Sequence, residues 1–308
     1  MLAKSPAKPS LSVNTAALLS VALTLVYVVP FYLSQSTRPT PTLSRDAPSV
    51  IRARIRAVSG SCIIVSLVVL WIIMKTGGLS LGAAMSLLGW WPASPTDIGR
   101  SVLLTAILFL GPLYERGVVE GEWRSWLQLR KLCESLGGWI EWRNYVAGPF
   151  TEEVMFRSAI IPLHILAKAS PGHIVFITPL YFGIAHIHHF YEFRLTQPDI
   201  PIPVALLRPI FQFGYTTIFG WYASFIYLRT GSLWAAFLVH SFCNWNGLPQ
   251  FWGRVEVEPR FGEAGHGPLH IGWTVVYYLL LLIGAVSFAQ LLWPLTESYH
   301  ALVSFSSS

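Results

Sequence analysis

Three short constellations hold the side chains of this 308-residue chain that could do chemistry together. The first is Thr151-Glu152-Glu153-Val154-Met155-Phe156-Arg157. Glu153 and Arg157 stand four apart, so on a helix they share a face and can pair. Glu152 sits about 100° round that helix and has no such local partner. The second is Phe182-Gly183-Ile184-Ala185-His186-Ile187-His188-His189. There His186 and His189 share a face while His188 points elsewhere, and His188 and His189 read as interfacial residues. The third is His240-Ser241-Phe242-Cys243-Asn244, with His240 and Asn244 stacked four apart. A carboxylate beside an imidazole can activate water as a general base and return the proton to a leaving group. A His–Asn pair can donate to a developing oxyanion, which is the other half of amide hydrolysis. No Ser or Cys stands among these residues as an isolated nucleophile, so water is the expected attacker. The sequence H-E-x-x-H is absent. A zinc site of His186, His240 and Glu152 nevertheless fits the same residues, because His₂Glu is a catalytic zinc set.

The elements that must position these groups are membrane helices. Hydrophobic residues make up 53% of the chain and charged ones 12%, against ~25% charged in an ordinary soluble domain. The apolar residues are gathered into long runs: apart from His, no charge falls between Arg56 and Lys75, Lys168 and Glu192, Arg208 and Arg229, or Glu263 and Glu297. Runs of about 18 or more such residues can cross a ~30 Å hydrocarbon layer as a helix. A soluble enzyme, a disordered chain and a coiled coil are thereby excluded. The expected fold is all-α and polytopic, with about eight transmembrane helices near 12–34, 57–75, 99–115, 145–167, 172–190, 206–228, 231–247 and 270–293, and a polar cavity inside. The third of these is short. Residues 78–92 and 121–142 read as interfacial amphipathic segments.

Eight spans leave both termini on one side. Of the 21 Lys and Arg residues, six fall on that side (Lys4, Lys8, Lys75, Arg100, Lys168, Arg229), fourteen fall on the other, and Arg157 lies inside a span. Because basic loops are retained in the cytoplasm, the richer side is assigned there. With that orientation Glu152, His186, His240 and Asn244 all lie within roughly 10 Å of the cytoplasmic face, at ~1.5 Å per residue along their helices. Ionised groups at membrane depth are costly, so polar residues matched in depth on three helices imply a shared, water-accessible cavity. The net charge of +6 is spread over the loops without a basic patch interleaved with aromatics, and nucleic acid is not an expected partner. The three cysteines, Cys62, Cys133 and Cys243, are scattered and read as small apolar fillers.

Glu152-Glu153-x-x-x-Arg157, Phe182-x-x-x-His186 and His240-x-x-x-Asn244, in that order on three membrane helices, resemble the CAAX prenyl endopeptidase family of the Ras-converting type. Phe211-Gln212-Phe213-x-Tyr215-Thr216-x-x-Phe219-Gly220 and Arg229-Thr230-Gly231 look like its eukaryotic branch. The resemblance spans about residues 100–250 and suggests a division into N-terminal helices (1–95), a catalytic membrane core (96–250) and a C-terminal loop and last helix (251–308). It implies an endoplasmic-reticulum protease, open to the cytosol, that removes the last three residues from prenylated C-a-a-X proteins. By the same resemblance Glu152 and His186 activate water, His240 and Asn244 hold the oxyanion, Glu153 and Arg157 support them, and no metal or other cofactor is needed. A farnesyl or geranylgeranyl chain keeps a C-terminal cysteine at the bilayer surface, within reach of a cavity ~10 Å below it. Two other classes compete: a transporter or proton relay, which also uses intramembrane Glu and His, and a non-catalytic prenyl-cysteine binding protein, which would keep the groove without needing the Glu–His pair. The first should show internal repeats or spans broken in corresponding positions, and neither is visible.

Overall fold

The computed structural model describes residues 10–38, 40, 44–256 and 270–305. Lys4, Lys8 and Arg260 of the charge tally lie outside them. Every regular element among the described residues is helical, as expected. The principal helices are α1 (Val13–Val28), α2 (Pro48–Thr76), α3 (Pro95–Leu108), α4 (Gly148–Glu153), α5 (Ile160–Leu166), α6 (Pro171–Ala185), α7 (His188–Thr196), α8 (Ile202–Thr230), α9 (Leu233–Asn246) and α10 (Ile271–Leu295). Their starts follow local chemistry. Ser12, Ser94, Ser170 and Ser232 each accept a hydrogen bond from a backbone N–H of the first turn, satisfying a donor the helix leaves unpaired. Proline begins α2, α3 and α6, where its missing N–H costs nothing.

Three helical stretches are long and apolar enough to cross a membrane: Val13–Leu33, Pro48–Thr76 and Ile271–Leu295. A fourth is a bent pair, Pro95–Leu108 followed by Leu110–Val119, turned by 81°. The short third span expected from the sequence is therefore broken. Pro112 lies at the bend, where it has no N–H to continue the ladder. The remaining expected spans, 145–167, 172–190, 206–228 and 231–247, are also helical, but they are shorter or more polar. Three of them hold buried polar side chains: Glu153 and Arg157 in 145–167, Thr217 in 206–228 and His240 in 231–247. By contrast α10 keeps only 11% of its apolar window inside the protein. The interfacial readings fall on short helices, Leu81–Leu87, Trp123–Trp126, Leu129–Leu136 and Trp139–Trp142.

Around the site the helix is not regular. Residues Arg143–Ala147 and Val154–Ala159 form wider π-type turns on either side of α4, a distortion that tends to mark functional segments. Helices α6 and α8 lie against each other at two glycines. A Cβ on Gly220 would come 2.6 Å from Pro179, and one on Gly183 would come 2.5 Å from the Thr217 hydroxyl. That close approach brings Phe182 and Phe219 up to the inner face of α4 and its following turn, where both rings flank the Arg157 guanidinium, at 4.7 and 5.6 Å. At the far end of α8, Gly231 adopts a left-handed conformation with φ 59° and meets the His300 carbonyl, so a side chain is excluded there on both counts.

Candidate active site

A cavity of about 180 Å³ opens between α1, α2, the turn before α4, and the break between α6 and α7. Glu152, His186 and Asn244 all line it, so three of the four residues singled out for chemistry face one space. The fourth, His240, is buried directly behind Glu152, with Nε2 3.6 Å from Glu152 Oε2. On its other side His240 Nδ1 donates to Glu153 Oε1 at 2.7 Å. The same Glu153 oxygen accepts from Arg157 Nη1 at 3.0 Å, and both members of that pair are fully buried. The expected Glu153–Arg157 pair is thus present, and it does more than neutralise itself: Glu153 fixes the imidazole of His240 and leaves Nε2 as the nitrogen directed to Glu152.

His186 is fixed in a comparable way from its own helix. Its Nδ1 donates to the Phe182 carbonyl at 2.8 Å, so Nε2 is left as the basic nitrogen. It is His240 rather than His186 that contacts Glu152. Asn244 donates through Nδ2 to the backbone carbonyl of Asn144 at 2.9 Å, which ties α9 to the turn preceding α4.

Two features were not visible in the sequence. The first helix, expected only as an anchor, contributes to the site: Tyr27 donates to Glu152 Oε1 at 3.5 Å and packs edge-on against Phe156. The second is His188, which lines the cavity instead of pointing away from it. Helix α6 ends at Ala185 and α7 begins at His188, so the 3.6-residue period does not run through the triplet. His188 and His189 consequently lie with their rings 4.1 Å apart, and both line the cavity. Nothing in residue spacing marks such a break, and only the polar run His186 to His189 hinted at it.

Among the described residues, the ligand atoms of His188, His189 and Glu192 lie within 4.8 Å of one another, the one group with metal-binding spacing. The alternative zinc set, His186, His240 and Glu152, is not gathered in this way. Arg54 and Arg45 occupy Glu192 at 2.7 and 3.4 Å, so a cation at His188 and His189 would face two guanidinium groups. The stretch Gly78-Leu79-Ser80-Leu81-Gly82 has the spacing of a hydrolase nucleophile turn. Ser80, however, caps the helix Leu81–Leu87 by accepting from Ala83 N, and it does not line the cavity.

Residues 135–246 match the family model described as type II CAAX prenyl endopeptidase, Rce1-like. The chain is 38% identical over 285 residues to a probable CAAX prenyl protease 2 of Schizosaccharomyces pombe, covering 91% of this chain and 93% of that one. It is 33% identical over 298 residues to the human CAAX prenyl protease 2, covering 90% and 80%. The Arabidopsis thaliana CAAX prenyl protease 2 is 29% identical over 311 residues, covering 94% and 91%. No solved structure matches the chain. With relatives this similar along nearly the whole length, and with Glu152, His186 and Asn244 turned toward one cavity, the chain belongs to the type II CAAX prenyl endopeptidase family.

Proposed function

We propose that this membrane protein removes the C-terminal a-a-X tripeptide from farnesylated or geranylgeranylated CAAX proteins. Small GTPase-like and other prenylated proteins are its substrates, presented from the cytosolic leaflet of the endoplasmic reticulum. The observation that carries this reading is the shared cavity of Glu152, His186 and Asn244 in a chain of this family. Water held against Glu152 and His186 Nε2 attacks the scissile carbonyl, and the proton taken from it goes on to the leaving amine. Asn244, which lines the cavity, donates through Nδ2 to the oxygen that gains charge, and His240, behind Glu152, is the second member of that oxyanion site. Glu153 and Arg157 act as positioning residues. Cleavage of a prenylated CAAX peptide by the purified protein in liposomes tests the proposal, and no release of the tripeptide would refute it.

The reaction as proposed uses no metal: Glu152 and His186 Nε2 supply the base that activates water. Thorough chelation is expected to leave peptide turnover within about twofold of its starting value, a margin far below the several kcal/mol a Lewis-acid metal supplies. About one zinc per purified chain, with activity lost on its removal and regained on its return, would reinstate the zinc alternative.

Sidedness follows from the charge count and has a built-in probe. Cys133 is exposed on the loop between the bent span and α4, while Cys62 is buried. Cys133 is expected to react with a membrane-impermeant thiol reagent in sealed microsomes whose cytoplasmic face is outward. A Tyr299→Cys, Cys133→Ser protein should label only after the membrane is opened. The reverse pattern would turn the cavity to the lumen, where no prenylated C-terminus is offered, and would sink the substrate assignment.

A further inference from the structure

The cavity wall is unevenly charged. Three arginines line it, Arg45, Arg54 and Arg143, while Glu152 is the one carboxylate in the lining. The acids that balance the arginines stand outside the wall. Glu192 is buried and takes Arg54 Nη2 at 2.7 Å and Arg45 Nη1 at 3.4 Å. Asp46 takes Arg143 Nη1 at 2.6 Å. These contacts fix where the guanidinium groups point without consuming them. Arg143 spends Nε on Asn144 Oδ1 and Nη1 on Asp46, and among the described residues its Nη2 makes no hydrogen bond. Nη2 of Arg45 is likewise unused among the described residues. Arg54 differs: it braces the Thr37 carbonyl and Glu192, and only 13% of its side chain is exposed, against 40% for Arg45 and 22% for Arg143.

A cavity that places two oriented guanidinium donors near a hydrolytic carboxylate suits an anion bound at a fixed distance from the reacting bond. The substrate in the reading above, on which this inference rests, ends in such an anion. The released tripeptide carries the free carboxylate of the chain, and three extended residues span about 10 Å. We infer that Arg45 and Arg143 form a subsite for the substrate's terminal carboxylate, so that cleavage three residues from the end is set by anchoring that end. The placement of Arg143 supports this. It begins the turn that leads into α4, and the next residue, Asn144, supplies the carbonyl that holds Asn244. One short segment thus connects the carboxylate anchor to the side chain facing the developing oxyanion. An anionic lipid headgroup offers the same chemistry from another source, so the assay has to separate the two.

The test compares a prenylated peptide ending in a free acid with its C-terminal carboxamide, using the full-length protein in pure phosphatidylcholine liposomes. The native protein is expected to cleave the acid at least about tenfold more efficiently in kcat/KM, the scale of one charge-assisted hydrogen bond. In Arg45→Gln/Arg143→Gln the acid should fall by that factor while the amide stays within about twofold, so that the preference disappears. Equal cleavage of acid and amide by the native protein would overturn the subsite. So would an equal loss on both peptides in the variant, which would mark the arginines as structural. A defect that appears only in liposomes containing anionic lipid would assign them to the headgroup instead. If the native protein cleaves neither peptide, the protease reading itself fails and the subsite with it.

Discussion

Replacing Glu152 by alanine or glutamine is expected to reduce cleavage of a prenylated peptide by about 10²–10⁴-fold, the range a general base supplies. Protein level and membrane insertion should stay near normal. The asymmetry follows from the contacts. Glu152 lies at long range from both partners, 3.5 Å from the Tyr27 hydroxyl and 3.6 Å from His240 Nε2. Its removal therefore strands no tightly paired group, and glutamine retains the shape. The measurement is single-turnover tripeptide release, with immunoblotting of the membrane fraction alongside. Near-normal turnover in Glu152→Gln would reject water activation by this carboxylate. His186→Ala should fall in step with it. Should His186→Ala keep its activity while His240→Ala loses it, the proton partner of Glu152 would be His240, the imidazole it actually touches.

The second large effect concerns Glu153, where folding and chemistry separate. Glu153→Ala leaves Arg157 charged and fully buried between the rings of Phe182 and Phe219. Breaking a buried ion pair from one side costs about 3–5 kcal/mol, comparable to much of the stability of a typical domain. The amount of folded protein should drop sharply. Glu153→Ala with Arg157→Ala removes both charges and is expected to recover the protein level. It should not recover turnover, because His240 has then lost the acceptor that fixes its Nδ1. A double variant with native turnover would show that His240 needs no such fixing. A double variant as depleted as the single one would show that the stranded charge is not what destabilises the protein.

The sequence marked the candidate site residues more clearly than the architecture that holds them. Glu152, Glu153, Arg157, His186, His240 and Asn244 could be picked out because charged and amide groups are conspicuous in apolar helices. The i, i+4 spacing also predicted the Glu153–Arg157 contact correctly. What spacing could not give was contact between helices, and so the His240–Glu153 hydrogen bond and the Tyr27–Glu152 contact were out of reach. The break between α6 and α7 also escaped, since it has neither Gly nor Pro at the junction and its three histidines read as a continued turn. Span counting matched the three long apolar helices. It was blunter for 145–167, 172–190, 206–228 and 231–247, which are shorter or more polar.

The position of Tyr27 bears on what can be called a unit in this protein. The segment that carries the family signature, residues 135–246, contains every side chain proposed to act on the peptide bond. It does not contain its own cavity. Tyr27 and Phe31 from the first helical stretch and Arg54 and Val58 from α2 close one side of the space, and the hydrophobic core runs without a boundary from Ala16 through Val65 to Phe156. The most recognisable part of the chain is thus not a transplantable cassette. Variation in the plain-looking first 75 residues reaches the reacting atoms through walls, and two homologues with identical motifs can present differently shaped chambers to the same lipid-linked tail.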